Sequence, residues 1–372
     1  MPTPSDDVRK ARDQLKGWLL NEAYPLWAGV GRDTARGGFF EKIDPSGAPV
    51  EAPRRARVVS RQVYAYATAG ELGWSGPWRE MVTEGLRILI ERYQRPDGLF
   101  RVLTDGDGTV LDDTPEPYEQ AFAMLALSCA HRLDPGAGHE AMAVRTREAL
   151  RARYGRPGGG FYDVSPPAGP LKANPHMHLF EAALAWADVG ADEGWSAMAR
   201  EIGGLAVEQM IDPASGALPE LYDTDWRALP NAEVEPGHQF EWGWLLLRFG
   251  ARDQALRLID LAEARGIDLE RGVAINALGP DLAPKDRSAR LWPQTERLRA
   301  GVAAALASGD ESYWNVALQG AVGLQRYLAT EVPGAWRDRM QPDGSLVTEP
   351  APASSFYHIV GAVAELDRAF PR

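Results

Sequence analysis

A short motif led by glycine recurs along this chain at intervals of about 60 residues. Its six copies begin at Gly38, Gly98, Gly160, Gly216, Gly272 and Gly334. The steps between them are 60, 62, 56, 56 and 62 residues, so six units cover nearly all of the 372 residues. A fixed period of this length indicates a repeat architecture, in which each unit buries its apolar face against its neighbours.

The segments between the glycines have the apolar spacing of amphipathic helices, and good helix formers dominate them. The pattern predicts twelve helices, two in each unit. They run over Ser5–Leu20, Arg55–Leu72, Gly76–Tyr93, Glu116–His131, His139–Tyr154, Pro175–Val189, Glu193–Met210, His238–Phe249, Ala251–Arg265, Leu291–Ala307, Asp310–Leu328 and Ser354–Phe370.

The connections between these helices alternate between long and short. Odd-numbered helices are followed by 20 to 34 residues and even-numbered helices by 1 to 7. Short connections make antiparallel neighbours, so every long loop lies at the same end. The even-numbered helices are more apolar than surface helices, which indicates an inner ring. We therefore predict an all-α fold, in which residues 1–372 form a single domain. This domain is a closed (α/α)6 barrel of six helical hairpins, with small β-hairpins in the long loops of one face. An open solenoid is the alternative.

Composition excludes several classes of partner. The chain has 40 basic and 52 acidic residues and a net charge of −12, so it would repel a nucleic-acid backbone or an anionic membrane. We find no secretory signal and no apolar stretch long enough for a membrane span. Cys129 is the single cysteine, so no intramolecular disulfide can form. We expect a cytoplasmic protein, a monomer or a homodimer, without nucleic-acid or membrane partners.

Polar and aromatic residues cluster at or near the starts of the even-numbered helices, and these clusters predict an active site in the barrel mouth. They are Arg57 with Arg61 and Gln62, residues 117–122, residues 174–181, residues 235–242, residues 291–296 and residues 356–358. One such cluster on every inner helix is hard to explain by packing alone.

Four of the six histidines lie in these clusters, whereas we expect His131 and His139 at the surface of the opposite end. His178 lies three residues before Glu181 and shares a helix face with it, while His176 points elsewhere. His238 and Glu241 are also three apart, and a carboxylate can hold an imidazole tautomer and raise its basicity.

Several other chemistries lack support. The two His-x-x-Glu pairs are compatible with a metal, but there is no HExxH motif or cysteine ligand set, so we expect neither metal nor cofactor. No nucleophile elbow, P-loop or dinucleotide fingerprint occurs. A glycoside hydrolase needs two carboxylates on opposite sides of a bond. The acids on offer, Asp112, Asp113, Glu116 and Glu119, cluster on one loop and helix start. A non-catalytic sugar-binding protein would have no use for paired histidines.

Residues 174–178, 236–242, 292–296 and 357–358 resemble the N-acylglucosamine 2-epimerase family of sugar epimerases and isomerases, and the similarity extends over essentially the whole chain. The resemblance implies an (α/α)6 barrel that acts beside the carbonyl of a small sugar without a metal. By that resemblance, His238 and His358 are the catalytic general acid/base histidines, Arg57, Tyr118, Asn174 and His178 line the sugar site, Glu241 orients the first histidine, and Trp292 and Gln294 are pocket positions.

The expected reaction begins when an imidazole removes the C2 proton of an open-chain aldose. Arg57 and a protonated histidine would stabilise the resulting enediolate. Reprotonation at C1 gives the ketose, whereas reprotonation at C2 from the other face gives the epimer. The sequence looks most like bacterial members known as mannose or mannose-6-phosphate isomerases.

We expect D-mannose to be converted to D-fructose. Mannose 6-phosphate isomerisation and 2-epimerisation of N-acylglucosamine or glucose-type sugars are the alternatives. A phosphate would need cations on the long-loop face, where Lys285, Arg287 and Arg290 lie in one loop and Arg54 and Arg55 near a helix start. We interpret them as solvated charges that balance nearby acids, which favours the free hexose.

Overall fold

The structure, a computed structural model, describes residues 4–370, and helices dominate it. The α-helices in this range are α1 (Asp6–Trp18), α2 (Tyr24–Gly29), α3 (Ala56–Leu72), α4 (Trp78–Ile88), α5 (Pro117–Leu133), α6 (His139–Tyr154), α7 (Ala173–Ala187), α8 (Gly194–Leu205), α9 (Pro236–Phe249), α10 (Arg252–Gly266), α11 (Leu291–Ser308), α12 (Ser312–Leu328) and α13 (Phe356–Arg368). Five-residue π-helical turns follow α1, α4 and α8 at Leu19–Ala23, Leu89–Tyr93 and Ala206–Met210, and a 3₁₀ turn at Ala353–Ser355 precedes α13.

Six helices form a closed inner ring. Helices α3, α5, α7, α9, α11 and α13 contact one another in this order, and α13 returns to contact α3. The other helices pack outside them, for example α4 on α3 and α12 on α11. In α7, every residue from His176 to Trp186 is buried, as expected for a helix covered on all sides. The predicted (α/α)6 barrel is therefore confirmed, and the chain is not an open solenoid.

The first helix is longer than predicted. Instead of ending at Leu20, the chain continues through the π-helical turn Leu19–Ala23 into α2, which ends at Gly29. Tyr24 and Trp27 are fully buried and hold this extension against the core. Pro25, which reads as a helix breaker, lies in the first turn of α2, where its missing N–H is tolerated.

The repeating glycines have a common conformation. All six have a positive φ, between 68° and 86°. This region of conformational space is open to glycine at little steric cost. In three of the units, the aromatic residue after the motif glycine closes a bridge to the chain just before the turn, as Phe39 does with Arg32. The 60-residue period therefore arises because the same glycine turn follows the outer helix in each unit.

Short antiparallel strands link the long loops. They are β1 (Lys42–Ile43), β2 (Arg54–Arg55), β3 (Leu103–Thr104), β4 (Val110–Asp112), β5 (Leu171–Lys172), β6 (Leu221–Tyr222), β7 (Ile267–Asp268), β8 (Val273–Ala274), β9 (Ala277–Leu278), β10 (Pro284–Asp286), β11 (Ala289–Arg290), β12 (Arg339–Met340) and β13 (Ala351–Pro352). Three pairs, β3 with β4, β7 with β8 and β9 with β10, are hairpins within one loop, as predicted.

The other four strand pairings join different loops, which the sequence did not predict. Strand β2 pairs with β3, β5 with β6, β11 with β12, and β1 with β13. These pairings tie each long loop to one from a neighbouring repeat. None of the helices in the described range combines the length and hydropathy that crossing a lipid bilayer requires.

Candidate active site

A cavity of about 250 Å³ lies at the end of the barrel where the inner helices begin, and we call it the mouth cavity. It is lined by Arg61, Tyr118, Asn174, His178, Glu235, His238, Glu241, Arg290, Trp292, Asp338, Ser354, Ser355 and His358. All six inner helices contribute at least one of these side chains. Seven of the nine residues singled out in the sequence belong to this lining, so the structure brings them together at one cavity.

His238 is hydrogen-bonded to a carboxylate from the long loop that precedes its helix, at the residue just before β6. Its Nδ1 lies 2.8 Å from Oε1 of Glu220 and 4.0 Å from Oε2 of Glu235. Burial alone would lower the pKa of this histidine, but Glu220, Glu235 and Glu241 outweigh burial and raise it to about 9. His238 is therefore an imidazolium at neutral pH, with Nε2 left as its second donor.

His358 has its own carboxylate, contributed by α11. Its Nδ1 lies 2.7 Å from Oε1 of Glu296, which is completely buried. Here burial lowers the pKa of the imidazole and the hydrogen bond to Glu296 opposes that effect without overcoming it. His358 is consequently neutral at neutral pH. The two histidines thus enter the same cavity in different protonation states.

The indole of Trp292 lies between the two histidines. Its ring centroid is 4.9 Å from that of His238 and 5.6 Å from that of His358. Gly237 makes room for it, since a Cβ at this position would lie 2.5 Å from the indole. Of the twelve tryptophans, Trp292 lines the mouth cavity, while Trp27, Trp186, Trp195, Trp242 and Trp336 are fully buried in the core.

Glu241 belongs to the floor of the cavity and does not orient His238, contrary to the expectation from their spacing. Its Oε1 lies 3.7 Å from Nδ1 of His178, and neither of its oxygens has a hydrogen-bond partner. Burial, reinforced by Glu296 and Glu181, raises its pKa well above the usual carboxyl range. Glu241 therefore holds a proton more readily than an ordinary carboxyl group, and its protonated form can donate a hydrogen bond into the cavity.

Of the two arginines on α3, Arg61 lines the mouth cavity and Arg57 does not. Arg61 is buried and donates to the hydroxyl of Tyr118 at 2.8 Å and to the carbonyl of Ser354 at 3.1 Å. Arg57 forms an ion pair with the completely buried Glu119, which also accepts the Arg57 backbone N–H at 2.6 Å. The two arginines lie one helical turn apart on α3, so the sequence pattern could not choose between them.

Gln294 has a structural role that the sequence did not indicate. Its side-chain amide is completely buried and binds both the N–H and the carbonyl of Ala274, at 2.8 and 2.9 Å. Gln120 and Gln239 hold Phe100 and Leu218 in the same way. In each case the bound residue lies two positions after a repeating glycine, so these glutamines fasten the turns of successive units to the inner ring.

Three groups of carboxylates and histidines lie close enough together to be compared with metal sites. They are His178 with Glu181 and Glu241, His238 with Glu220 and Glu235, and His358 with Glu296 and Glu241. In the last two groups, the imidazole Nδ1 is within 2.8 Å of a carboxylate oxygen. In these two groups the Nδ1–carboxylate distance is that of a hydrogen bond, so the carboxylate fixes the tautomer of the imidazole and leaves Nε2 as its second nitrogen.

The four acids considered for glycoside hydrolysis do not line the mouth cavity. Glu119 is occupied by Arg57, and Asp113 is bound by Arg95 and Arg101 at the exposed end of the same loop. The cavity therefore does not offer these carboxylates to a glycosidic bond.

The chain also matches known proteins over most of its length. Residues 38–362 match the family described as N-acylglucosamine 2-epimerase (GlcNAc 2-epimerase). The chain belongs to this family. The family resemblance seen in the sequence is confirmed, and the protein is an enzyme of the sugar epimerase and isomerase class.

Three known proteins show how similar this chain is to sugar isomerases and epimerases. It is 43% identical to the mannose-6-phosphate isomerase of Rhizobium meliloti (strain 1021), with 98% of this chain and 99% of that protein covered. A solved D-mannose isomerase superposes with a TM-score of 0.89 at 23% identity, covering 99% and 100% of the two chains. The cellobiose 2-epimerase from Spirochaeta thermophila DSM 6192 superposes with a TM-score of 0.87 at 21% identity, covering 97% of each chain.

Proposed function

We propose that this enzyme is an aldose–ketose isomerase that interconverts D-mannose and D-fructose through an enediolate, without a metal or cofactor. The observation that carries the proposal is the pair of histidines in the mouth cavity, one neutral and one protonated at neutral pH. Two titratable groups whose surroundings move their pKa values apart are suited to act as base and acid in the same site.

In this proposal His358 is the base. As a neutral imidazole it accepts the C2 proton of the open-chain sugar, and the C–H electrons form the C1–C2 double bond of the enediolate. The charge that develops on the carbonyl oxygen is stabilised by the His238 imidazolium and by Arg61. Arg61 takes the place that the resemblance assigned to Arg57. The His238 imidazolium gives a proton to O1 and takes up the proton of the O2 hydroxyl, while His358 returns its proton to C1, which gives the ketose.

The floor and walls of the cavity position the sugar. Glu241, as a neutral acid, donates a hydrogen bond to a sugar oxygen, and His178, Tyr118 and Asn174 contact the remaining hydroxyl groups. The aromatic face of Trp292 excludes water from the reacting carbons, which strengthens the electrostatic interactions around the enediolate. The starts of the inner helices point toward this cavity, and their partial positive charge also favours an anionic intermediate.

The contacts of the loop cations support a free hexose. Lys285 pairs with Glu233, Arg287 with Asp268 and Arg290 with Glu235, at 2.7 to 2.9 Å. Arg54 and Arg55 are likewise paired, with Asp33 and Glu41. A phosphate bound by these residues would have to compete with a carboxylate at each of them.

Mannose 6-phosphate is the second candidate substrate, because the relative that is 43% identical over nearly the whole chain is named a mannose-6-phosphate isomerase. A 2-epimerase of glucose-type sugars is the third, since cellobiose 2-epimerase has the same fold. The purified enzyme should be incubated with mannose, mannose 6-phosphate, N-acetylglucosamine and cellobiose, and its products identified. We expect fructose from mannose with the highest kcat/KM. A hundredfold preference for mannose 6-phosphate, lost in a Lys285→Ala, Arg287→Ala double variant, would overturn the free-sugar proposal.

A further inference from the structure

Arg299 places a full positive charge beneath the mouth cavity without reaching into it. It lies on α11 one turn after Glu296, and its side chain is 3% exposed. One end of the guanidinium, Nη1, is 3.5 Å from Oε2 of Glu296, and the other end, Nη2, is 3.3 Å from Oε1 of Glu181. The carbon of the guanidinium is 3.3 Å from the ring centroid of Trp244, which holds the group in place.

This arginine makes the two histidine–carboxylate pairs different. The carboxylate of Glu296 is shared, with one oxygen on His358 and the other facing Arg299. Glu220, the partner of His238, has no arginine or lysine ion pair within the described residues. Instead a second carboxylate, Glu235, lies 4.0 Å from the same imidazole nitrogen. The His358–Glu296 pair therefore has an additional cation beside it, Arg299, whereas the His238–Glu220 pair has an additional carboxylate, Glu235.

The charged and titratable groups around His358 act beside its burial, which is the largest cause of its lowered pKa. They come from all the inner helices packed against it and from one loop: Arg61 on α3, His178 on α7, Glu241 on α9, Glu296 and Arg299 on α11, and Asp338 in the loop before α13. His178 is held neutral by burial, which lowers its pKa to about 4, and burial raises the pKa of Glu241 well above the usual carboxyl range. Arg61 and Arg299 both lower the pKa of His358, and Arg299 is the one that forms an ion pair with the histidine's own carboxylate, at 3.5 Å. His238 on α9 is a further cation of the cavity, and Trp292 lies between it and His358.

We propose that Arg299 is a positioning residue which, through Glu296, keeps the proton off His358 and so makes this histidine, and not His238, the base of the reaction. The proposal rests on the proposed function for its catalytic meaning. The physical basis is electrostatic. The guanidinium near Oε2 of Glu296 partly neutralises that carboxylate, and it also repels an imidazolium at Oε1, so the protonated form of His358 is disfavoured.

The experiment is an NMR titration of the two histidines. Histidine labelled with ¹³C at Cε1 would be followed from pH 5 to 10 in the wild type and in Arg299→Gln, with His238→Asn and His358→Asn spectra used for assignment. We expect the His358 midpoint to rise by about one pH unit in Arg299→Gln, because a nearby opposite or like charge shifts a pKa by about one to three units. The His238 midpoint should move much less, because its carboxylate partners are Glu220 and Glu235 and Arg299 pairs with neither of them.

Arg297 is the matched control. It lies on the same helix, its side chain is 5% exposed, and it is paired with Glu263 at 2.5 Å. Arg297→Gln removes an equally buried guanidinium from the same element, but we expect it to leave both histidine midpoints unchanged. An equal shift of His358 in Arg297→Gln and Arg299→Gln would overturn the proposal, and so would an unshifted His358 in folded Arg299→Gln.

Glu181→Gln provides a test in the opposite direction if Arg299→Gln does not fold. This change leaves the charge of Arg299 less neutralised, so the His358 midpoint should fall below its wild-type value; a rise or no change would contradict the proposal. The acid limb of the kcat/KM profile should move with the midpoint in each variant. Because the titration needs no substrate, it tests Arg299 even when none of the four sugars is converted, an outcome that would instead reject the proposed function.

Discussion

Nδ1 of His238 lies 2.8 Å from Oε1 of Glu220. Glu220 precedes His238 by 18 positions and lies in the loop before α9, directly before β6. This contact fixes the tautomer of His238 and leaves Nε2 to face the cavity. It also joins the histidine on the barrel wall to a loop that covers the mouth. The charge of this histidine therefore depends on how that loop is placed.

The pH dependence of kcat/KM should be bell-shaped. Activity needs a neutral His358, whose pKa burial lowers below 6.5, and a protonated His238, whose pKa is raised to about 9. The rate should therefore fall on the acid side of pH 6.5, as His358 becomes protonated, and again as the pH rises through about 9, as His238 loses its proton. In Glu220→Gln the alkaline limb should move to lower pH, while the exposed Glu233→Gln change serves as a control. A profile of Glu220→Gln identical to that of the wild type would contradict this assignment.

Replacing either cavity histidine by asparagine should abolish most of the activity. We expect His238→Asn and His358→Asn to lower kcat by at least about 10²-fold, the usual scale of general acid–base catalysis. Both side chains border a cavity, so circular dichroism and the melting temperature should show a folded protein. His131→Asn, at the other end of the barrel, should leave kcat unchanged, although its contact with Trp186 makes a small loss of stability expected. A folded variant with nearly full activity would remove that histidine from the mechanism.

The two arginines of α3 should give opposite phenotypes. Arg61→Ala should lower kcat/KM by about 10²-fold because it removes a donor that stabilises the enediolate. Arg57→Ala should leave kcat/KM within about twofold but lower the free energy of unfolding by roughly 2–3 kcal/mol, since it leaves the buried carboxylate of Glu119 unpaired. Steady-state kinetics and urea unfolding of both variants would distinguish these effects. The reverse pattern would restore Arg57 to the sugar site.

Gln294 should matter for stability and not for catalysis. Gln294→Leu deprives the N–H and carbonyl of Ala274 of their partners, and a buried backbone group left without a hydrogen bond costs about 1–3 kcal/mol. The free energy of unfolding should fall by that amount, as it should in the corresponding variant Gln120→Leu. A large drop in kcat/KM without loss of stability would show that Gln294 contacts substrate after all.

Turnover should survive exhaustive chelation. In the proposed reaction the His238 imidazolium and Arg61 stabilise the enediolate, so the chemistry needs no cation besides these side chains. Dialysis against EDTA followed by assay should leave kcat within experimental error. Loss of activity that a single divalent ion restores would refute the metal-free proposal.

The sequence predicted features that repeat or that depend on neighbours along one helix. The glycine period led to the barrel, and the three-residue spacing of His178 and Glu181 was matched by a contact of 3.5 Å. Contacts between elements were not predictable in this way. Glu296 is 62 residues from its partner His358. Glu220, the partner of His238, lies in the loop before α9 and not on that helix, whereas spacing within the helix pointed to Glu241.

Two other differences have the same cause. His131 was expected at the surface, but it is only 9% exposed because the neighbouring inner helix presents Trp186 to it. Arg57 and Arg61 share one face of α3, and only the position of Glu119 on the next helix shows which of them is free to face the cavity. In each case the deciding partner is contributed by a neighbouring helix and leaves no periodic signal.

The strand pairings between long loops have a consequence for how such a barrel can change its substrate. Because β5 is hydrogen-bonded to β6 and β11 to β12, a loop exchanged alone would lose its partner strand in the adjoining repeat. The smallest segment that can be transplanted intact is a pair of adjoining loops together with their shared ladder. Attempts to graft a new specificity onto this scaffold should therefore recombine loops two at a time.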